Sequence, residues 1–147
     1  LYQGFNVDKG VEDLKATLDF IREDKRCTKK AGTMGFCLGG KLAYLMATRA
    51  NADCNISYYG GGIDALLDEA KNIKTPLLMH LGTEDKSIPP EAQQKIMQVL
   101  GKDPQVKIFA YPGLDHAFTR IGGKNYNADA AALAKGRTGA FLKANLF

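Results

Sequence analysis

Lys30-Ala-Gly-Thr-Met-Gly-Phe-Cys-Leu-Gly-Gly-Lys-Leu-Ala43 is the stretch that decides how this chain reads. A short apolar-leaning run enters Gly35-Phe36-Cys37-Leu38-Gly39-Gly40, and a helix-like run from Leu42 to Ala50 leaves it. The layout is Gly-x-nucleophile-x-Gly, the spelling of a sharp strand-to-helix elbow, with cysteine where serine is more usual. A residue on such a turn holds a strained backbone, so the positions two before and two after it must be small. Gly35 and Gly39 meet that demand. The turn lifts the Cys37 side chain clear of the sheet. The first N–H groups of the following helix point at it and favour a thiolate.

The same letters also fit a Gly-rich turn around a buried, inert cysteine. Gly35-x-x-x-x-Gly40-Lys41 comes close to a phosphate-binding loop, but Leu42 stands where that motif needs Ser or Thr for Mg²⁺. The downstream sequence decides between these readings. A nucleophile elbow takes an acid and then a histidine, in that chain order. Asp85 follows the strand-like run Pro76–Gly82, and His116 follows the run Val106–Gly113. Loops at the carboxyl ends of parallel strands open on one side of a sheet, so Cys37, Asp85 and His116 can converge. His80 lies inside an apolar run and reads as a packed core histidine. Asp115 is adjacent to His116, too close in sequence to orient it.

Composition sets the frame. The chain has 147 residues, 45% of them hydrophobic and 24% charged, which describes one globular domain over residues 1–147 and no disordered tract. The net charge of +4 is spread among acidic residues, with no basic run suited to nucleic acid. No apolar stretch reaches the length of a membrane span, and no signal peptide is visible at residue 1. Three widely spaced cysteines argue against a disulfide framework or a zinc site. Cys27 and Cys54 read as incidental thiols, and a free catalytic thiol suits a reducing compartment, so a cytoplasmic location is expected. The chain opens on Leu1 rather than Met, which reads as a piece of a longer protein.

Strands and helices alternate. Val11, Leu14, Leu18 and Ile21 form one apolar stripe of a helix capped at Asp8 and ending near Glu23–Arg26. Lys29–Phe36 is the elbow strand and Leu38–Ala50 the elbow helix. Strands are expected at Asn55–Tyr59, Thr75–Leu81 and Val106–Tyr111, with a short helical excursion at Ile63–Asn72. A helix starting at Pro89-Pro90 turns Ala92, Ile96, Val99 and Leu100 inward. An Ala-rich helix, Ala128–Ala144, carries Leu133, Ala140, Phe141 and Ala144 on one face. The alternation predicts a parallel α/β sheet of four visible strands.

Gly35-Phe-Cys-Leu-Gly-Gly40, Tyr58-Tyr59-Gly60, Gly82-Thr-Glu-Asp85 with Pro89, and Gly113-Leu-Asp-His-Ala-Phe-Thr-Arg120 together resemble the dienelactone hydrolase family, the carboxymethylenebutenolidases. The similarity runs along essentially the whole chain and matches the later part of the family. It implies an α/β-hydrolase fold, a parallel sheet flanked by helices, with the family's N-terminal strands missing from this chain. It favours Asp85 over its neighbour Glu84 as the acid.

The resemblance further implies hydrolysis of a small-molecule ester or lactone through a thioester on Cys37. His116 would relay protons and Asp85 would orient it. The N–H of Leu38 would serve as one oxyanion donor, with the second drawn from an earlier loop. Arg120 aligns with an arginine that binds the substrate carboxylate, and Phe118 and Tyr2 align with aromatic pocket positions; from the residues alone, Arg120 reads equally as a surface arginine and both aromatics as plain core. The family's N-terminal portion supplies a further acidic residue and a second arginine. Neither a metal nor an organic cofactor is implied, and the oligomeric state is left open. Two alternatives stand beside this reading: a catalytically silent binding domain of the same fold, and a P-loop nucleotide-binding protein.

Overall fold

The computed structural model describes residues 4–147. Helix α1 spans Val7–Glu23 and is capped by Asn6, whose side chain accepts from the Lys9 N–H. It therefore begins before Asp8, the cap expected from sequence. Val11 and Leu18 are buried, but Ile21 is exposed, so the inward stripe stops one turn early.

Strand β1 covers only Thr33–Phe36. The shortening has a local cause. Lys29 has a positive φ of 71°, which breaks the extended path, and the Ala31 N–H goes to the Asp53 carboxylate instead of to a neighbouring strand. Helix α2 (Leu38–Arg49), strand β2 (Asn55–Tyr58) and a 3-10 segment (Asp64–Asn72) follow. Strand β3 (Leu77–Gly82), helix α3 (Pro90–Leu100), strand β4 (Val106–Tyr111) and helix α4 (Ala128–Leu146) complete the described chain.

The four strands are all parallel, in the order β1-β2-β3-β4. Each crossover steps to the next neighbour in the same direction. Since such crossovers share one hand, α2, the 3-10 segment and α3 lie on one face. Helix α4 comes after the last strand and covers the other. Side-chain alternation supports the assignment: Gly35 faces the backbone of α2, whereas Tyr58 reaches α4. Every residue of β2 and β3 is buried, as strands covered on both faces require. In β1, Met34 and Phe36 on the α4 side remain 53% and 46% exposed. No helix among the described residues is long and apolar enough to cross a membrane.

A row of rings crosses the sheet on the α4 face. Phe36, Tyr58, His80 and Phe109 are register partners on four successive strands. Tyr58 stacks on Phe36 at 4.7 Å and on His80 at 4.3 Å, and the Arg137 guanidinium lies 3.9 Å from the Phe109 ring centre. The polar edges of this row are all paired. One proton assignment satisfies four hydrogen bonds: the Tyr111 hydroxyl donates to His80 Nδ1 (2.9 Å), and His80 Nε2–H donates to Thr138 Oγ1 (3.0 Å). Thr138 then donates to the Tyr58 hydroxyl (2.6 Å), which donates to the Ala134 carbonyl (3.2 Å). Burial, aided by the Arg137 charge, pushes His80 down to about 4, so the ring stays neutral.

These bonds also set the roll of α4. Ala134 and Thr138 face the sheet, while Leu133, expected in the core, is 50% exposed. In α3 the inward residues are Ala92, Ile96 and Leu100, and Val99 points outward.

Candidate active site

The elbow is built as its spelling demands, with one difference. Cys37 sits between β1 and α2 at φ 54° and ψ −119°, a backbone conformation costly for any residue with a side chain. Its N–H donates to the Tyr58 carbonyl (3.0 Å), which holds the turn against β2. A Cβ on Gly35 would strike the backbone of Gly39, and one on Gly40 would press on the Tyr58 carbonyl at 2.5 Å. A Cβ on Gly39 would meet nothing within 4 Å. The second small residue that the turn requires is therefore Gly40, not Gly39.

Three loops at the carboxyl ends of β1, β3 and β4 bring Cys37, Asp85 and His116 into a hydrogen-bonded line. His116 Nε2 is 3.1 Å from Cys37 Sγ, and His116 Nδ1 is 2.9 Å from Asp85 Oδ2 and 3.2 Å from Oδ1. Asp85 is almost wholly buried and also accepts from the Ser87 N–H (2.8 Å), so its carboxylate is fixed from two sides. An acceptor at Nδ1 demands Nδ1–H, which leaves the Nε2 lone pair facing the sulfur. His116 is steadied in turn by Asn125, whose amide donates to the His116 carbonyl (2.9 Å). Nothing in the sequence singled out Asn125, because an asparagine in a Gly-rich loop has no periodic pattern to stand out from.

The neighbouring acids are placed elsewhere. Glu84 is exposed. Asp115 accepts from the Lys86 N–H (3.1 Å) and pairs with its ammonium (3.6 Å), tying the loop after β4 to the loop after β3.

The sulfur's electrostatics combine burial with two nearby charges. Burial pushes the Cys37 thiol up, the Asp85 charge adds to that, and the Arg120 charge opposes it. Burial and the Asp85 charge together outweigh the Arg120 charge. The sulfur is thus held above the ordinary thiol range, within hydrogen-bonding reach of His116.

Leu38 opens α2, so its N–H is one of the first-turn donors that a helix leaves without an intrahelical partner. Arg120 is exposed and lines a cavity of about 300 Å³ together with Lys86, Ser87, His116, Lys124 and Asn125. Phe118, open to a pocket or a core reading, is fully buried against Tyr59 (5.6 Å) and Tyr111 (4.8 Å), so it packs behind the site. Tyr2 lies outside the described residues. A larger apolar groove of about 600 Å³, between β1 and α4, includes Phe36, Tyr58 and Tyr126 but none of Cys37, Asp85 and His116. Among the described residues no group of three or more His, Cys, Asp or Glu is arranged to hold a metal ion.

Known proteins share both the sequence and the fold. The profile of the Dienelactone hydrolase family matches residues 1–146. Over 142 residues the chain is 36% identical to the carboxymethylenebutenolidase of Pseudomonas putida, covering 97% of this chain and 60% of that protein. A dienelactone hydrolase-like promiscuous phosphotriesterase from metagenomic libraries superposes with a TM-score of 0.84 at 20% identity, over 99% of this chain and 66% of its own. The esterase Pf2001 of Pyrococcus furiosus does so with a TM-score of 0.75 at 18% identity, over 98% and 65%. The chain spans about half to three fifths of the length of the curated relatives it matches. On the family match, and on a four-stranded parallel sheet of the α/β-hydrolase type, this chain belongs to the dienelactone hydrolase family.

Proposed function

We propose that the protein hydrolyses carboxylic esters or lactones through a covalent thioester on Cys37. The observation that carries this reading is the continuous line from sulfur to imidazole to buried carboxylate.

His116 Nε2 takes the thiol proton as Cys37 attacks the carbonyl carbon, and Asp85 stabilises the imidazolium that forms. The carbonyl oxygen becomes an oxyanion beside the Leu38 N–H. His116 returns the proton to the leaving alkoxide as the carbon–oxygen bond breaks, giving the thioester. A water then loses a proton to Nε2 and adds to the thioester carbonyl. Collapse of that adduct releases the carboxylic acid, and the sulfur regains its proton from His116. Thioesters hydrolyse readily, so esters and lactones suit this nucleophile better than amides.

Arg120 gives the site a positive charge beside the sulfur, which suits a substrate bearing a carboxylate. The test is covalent labelling by an activated ester analogue, followed by peptide mass mapping. Acyl adducts on Cys37 but not on Cys27 or Cys54 support the reading; no adduct on Cys37 overturns it.

A further inference from the structure

We propose that Tyr59 is a positioning residue that fixes Arg120, through Thr119, in the place from which it selects carboxylate-bearing esters. The proposal deepens the hydrolase reading above and rests on it.

Tyr59 stands one residue beyond the end of β2, with a positive φ of 39°. Only four non-glycine residues in the described chain have positive φ, and three of them, Cys37, Tyr59 and Ala117, surround the sulfur–imidazole pair. A bulky aromatic is seldom held in that region. Here the strain has a visible result. The Tyr59 N–H still bonds the His80 carbonyl (2.8 Å), keeping the sheet intact, while the side chain reaches the loop that follows β4. Its ring meets His116 edge-on with centres 5.2 Å apart, and its hydroxyl shares a 2.6 Å hydrogen bond with Thr119 Oγ1.

The hydroxyl is the informative atom. Tyr59 is 2% exposed, and a phenylalanine would fill the same space without a polar group to satisfy. Its partner, Thr119, immediately precedes Arg120. Around Arg120 the chain runs through two tight turns, Arg120 N–H to the Ala117 carbonyl and Gly123 N–H to the Arg120 carbonyl, both 2.9 Å. That segment belongs to no helix or strand. The Tyr59–Thr119 bond thus ties the residue before Arg120 to the end of a central strand, the same strand end that carries the carbonyl holding the Cys37 N–H. Nucleophile and guanidinium share one reference point.

The experiment uses the full chain and two matched activated esters, one with a free carboxylate and one with that carboxylate methylated. In Tyr59→Phe and in Thr119→Val, the anionic-to-neutral ratio of kcat/KM should fall about two- to fivefold, no more than in Arg120→Ala, through KM for the anionic ester. The double variant should be no worse than either single, and Thr119→Ser should restore the ratio. In an Arg120→Ala background, Tyr59→Phe should no longer change it. Equal losses for both esters, or an unchanged ratio in an active enzyme, overturn the proposal. A wild type that hydrolyses neither ester overturns the hydrolase reading itself, and this one with it.

Discussion

His116 Nε2 stands 3.1 Å from a sulfur that burial and the Asp85 charge make harder to ionise. Ionising this sulfur at rest is therefore opposed by its surroundings, and in the proposed reaction the thiolate would form as its proton moves to His116. Such an arrangement protects the sulfur from adventitious oxidation and alkylation, since the thiolate is the reactive form.

Replacing either partner should abolish the chemistry. Cys37→Ala and His116→Ala are each expected to lower kcat on the order of 10⁴-fold or more, with the double variant scarcely worse, because the groups act as a unit. Steady-state hydrolysis of an activated ester by the full chain, alongside circular dichroism to check the fold, measures both. Near-wild-type turnover by Cys37→Ala would remove the assignment.

The raised thiol has a direct signature. An acid whose pKa is raised is less ionised at any given pH below it, so the rate of Cys37 alkylation by iodoacetamide should climb about tenfold per unit between pH 7 and 9. A rate already at its plateau at pH 7 would mean a standing thiolate–imidazolium pair. Cys54, fully buried and pushed up to about 11, should stay unlabelled while the protein is folded.

Arg120 should matter for charge and little for chemistry. Its side chain is exposed before substrate arrives, so solvent screening limits its value. Arg120→Ala is expected to raise KM for a carboxylate-bearing ester by about five- to tenfold, with a smaller effect on a neutral one. A matched pair of esters reads the difference directly, and equal losses would return Arg120 to the role of a surface charge.

His80 makes stability depend on pH. Its folded pKa, about 4, lies below the ordinary 6.5, so between these values the unfolded chain binds the extra proton. Stability is therefore intact above about pH 6.5 and declines as pH falls toward 4, by about 2 kcal/mol between pH 7 and pH 5. Denaturant unfolding at the two pH values should show that slope in the wild type and lose it in His80→Gln. An equal slope in both proteins would refute the assignment.

Much of this molecule was legible in the sequence, and what was not has identifiable causes. The elbow, the four strands and the converging residues Cys37, Asp85 and His116 rest on local signals: glycines at a turn, apolar runs, chain order. The facing of α4 was not legible, because five of the nine residues in its first half are alanine and give little apolar contrast. Thr138 is drawn inward by the hydroxyls and imidazole of Tyr58 and His80, residues distant in sequence. Phe118 stayed open between two readings for a related reason, since a loop aromatic carries no periodicity to separate a ligand wall from a core wedge. The burial that raises the thiol was not legible either, because a motif conveys the helix N-terminus but not the packing around the sulfur.

The glycines of the elbow are not equivalent, and that offers an engineer a foothold. Gly35 and Gly40 are closed to substitution, since any side chain there collides with backbone, and Gly35→Ala should cripple folding and activity together. Gly39 adjoins Leu38 in the first turn of α2, two positions from the nucleophile, and faces open space. It is the natural position for a small library: side chains grafted there would reshape the approach to the sulfur while the elbow keeps its form. In a helix, replacing glycine with alanine also stabilises by roughly 0.5–1 kcal/mol, so the first member of that library should melt no lower than its parent.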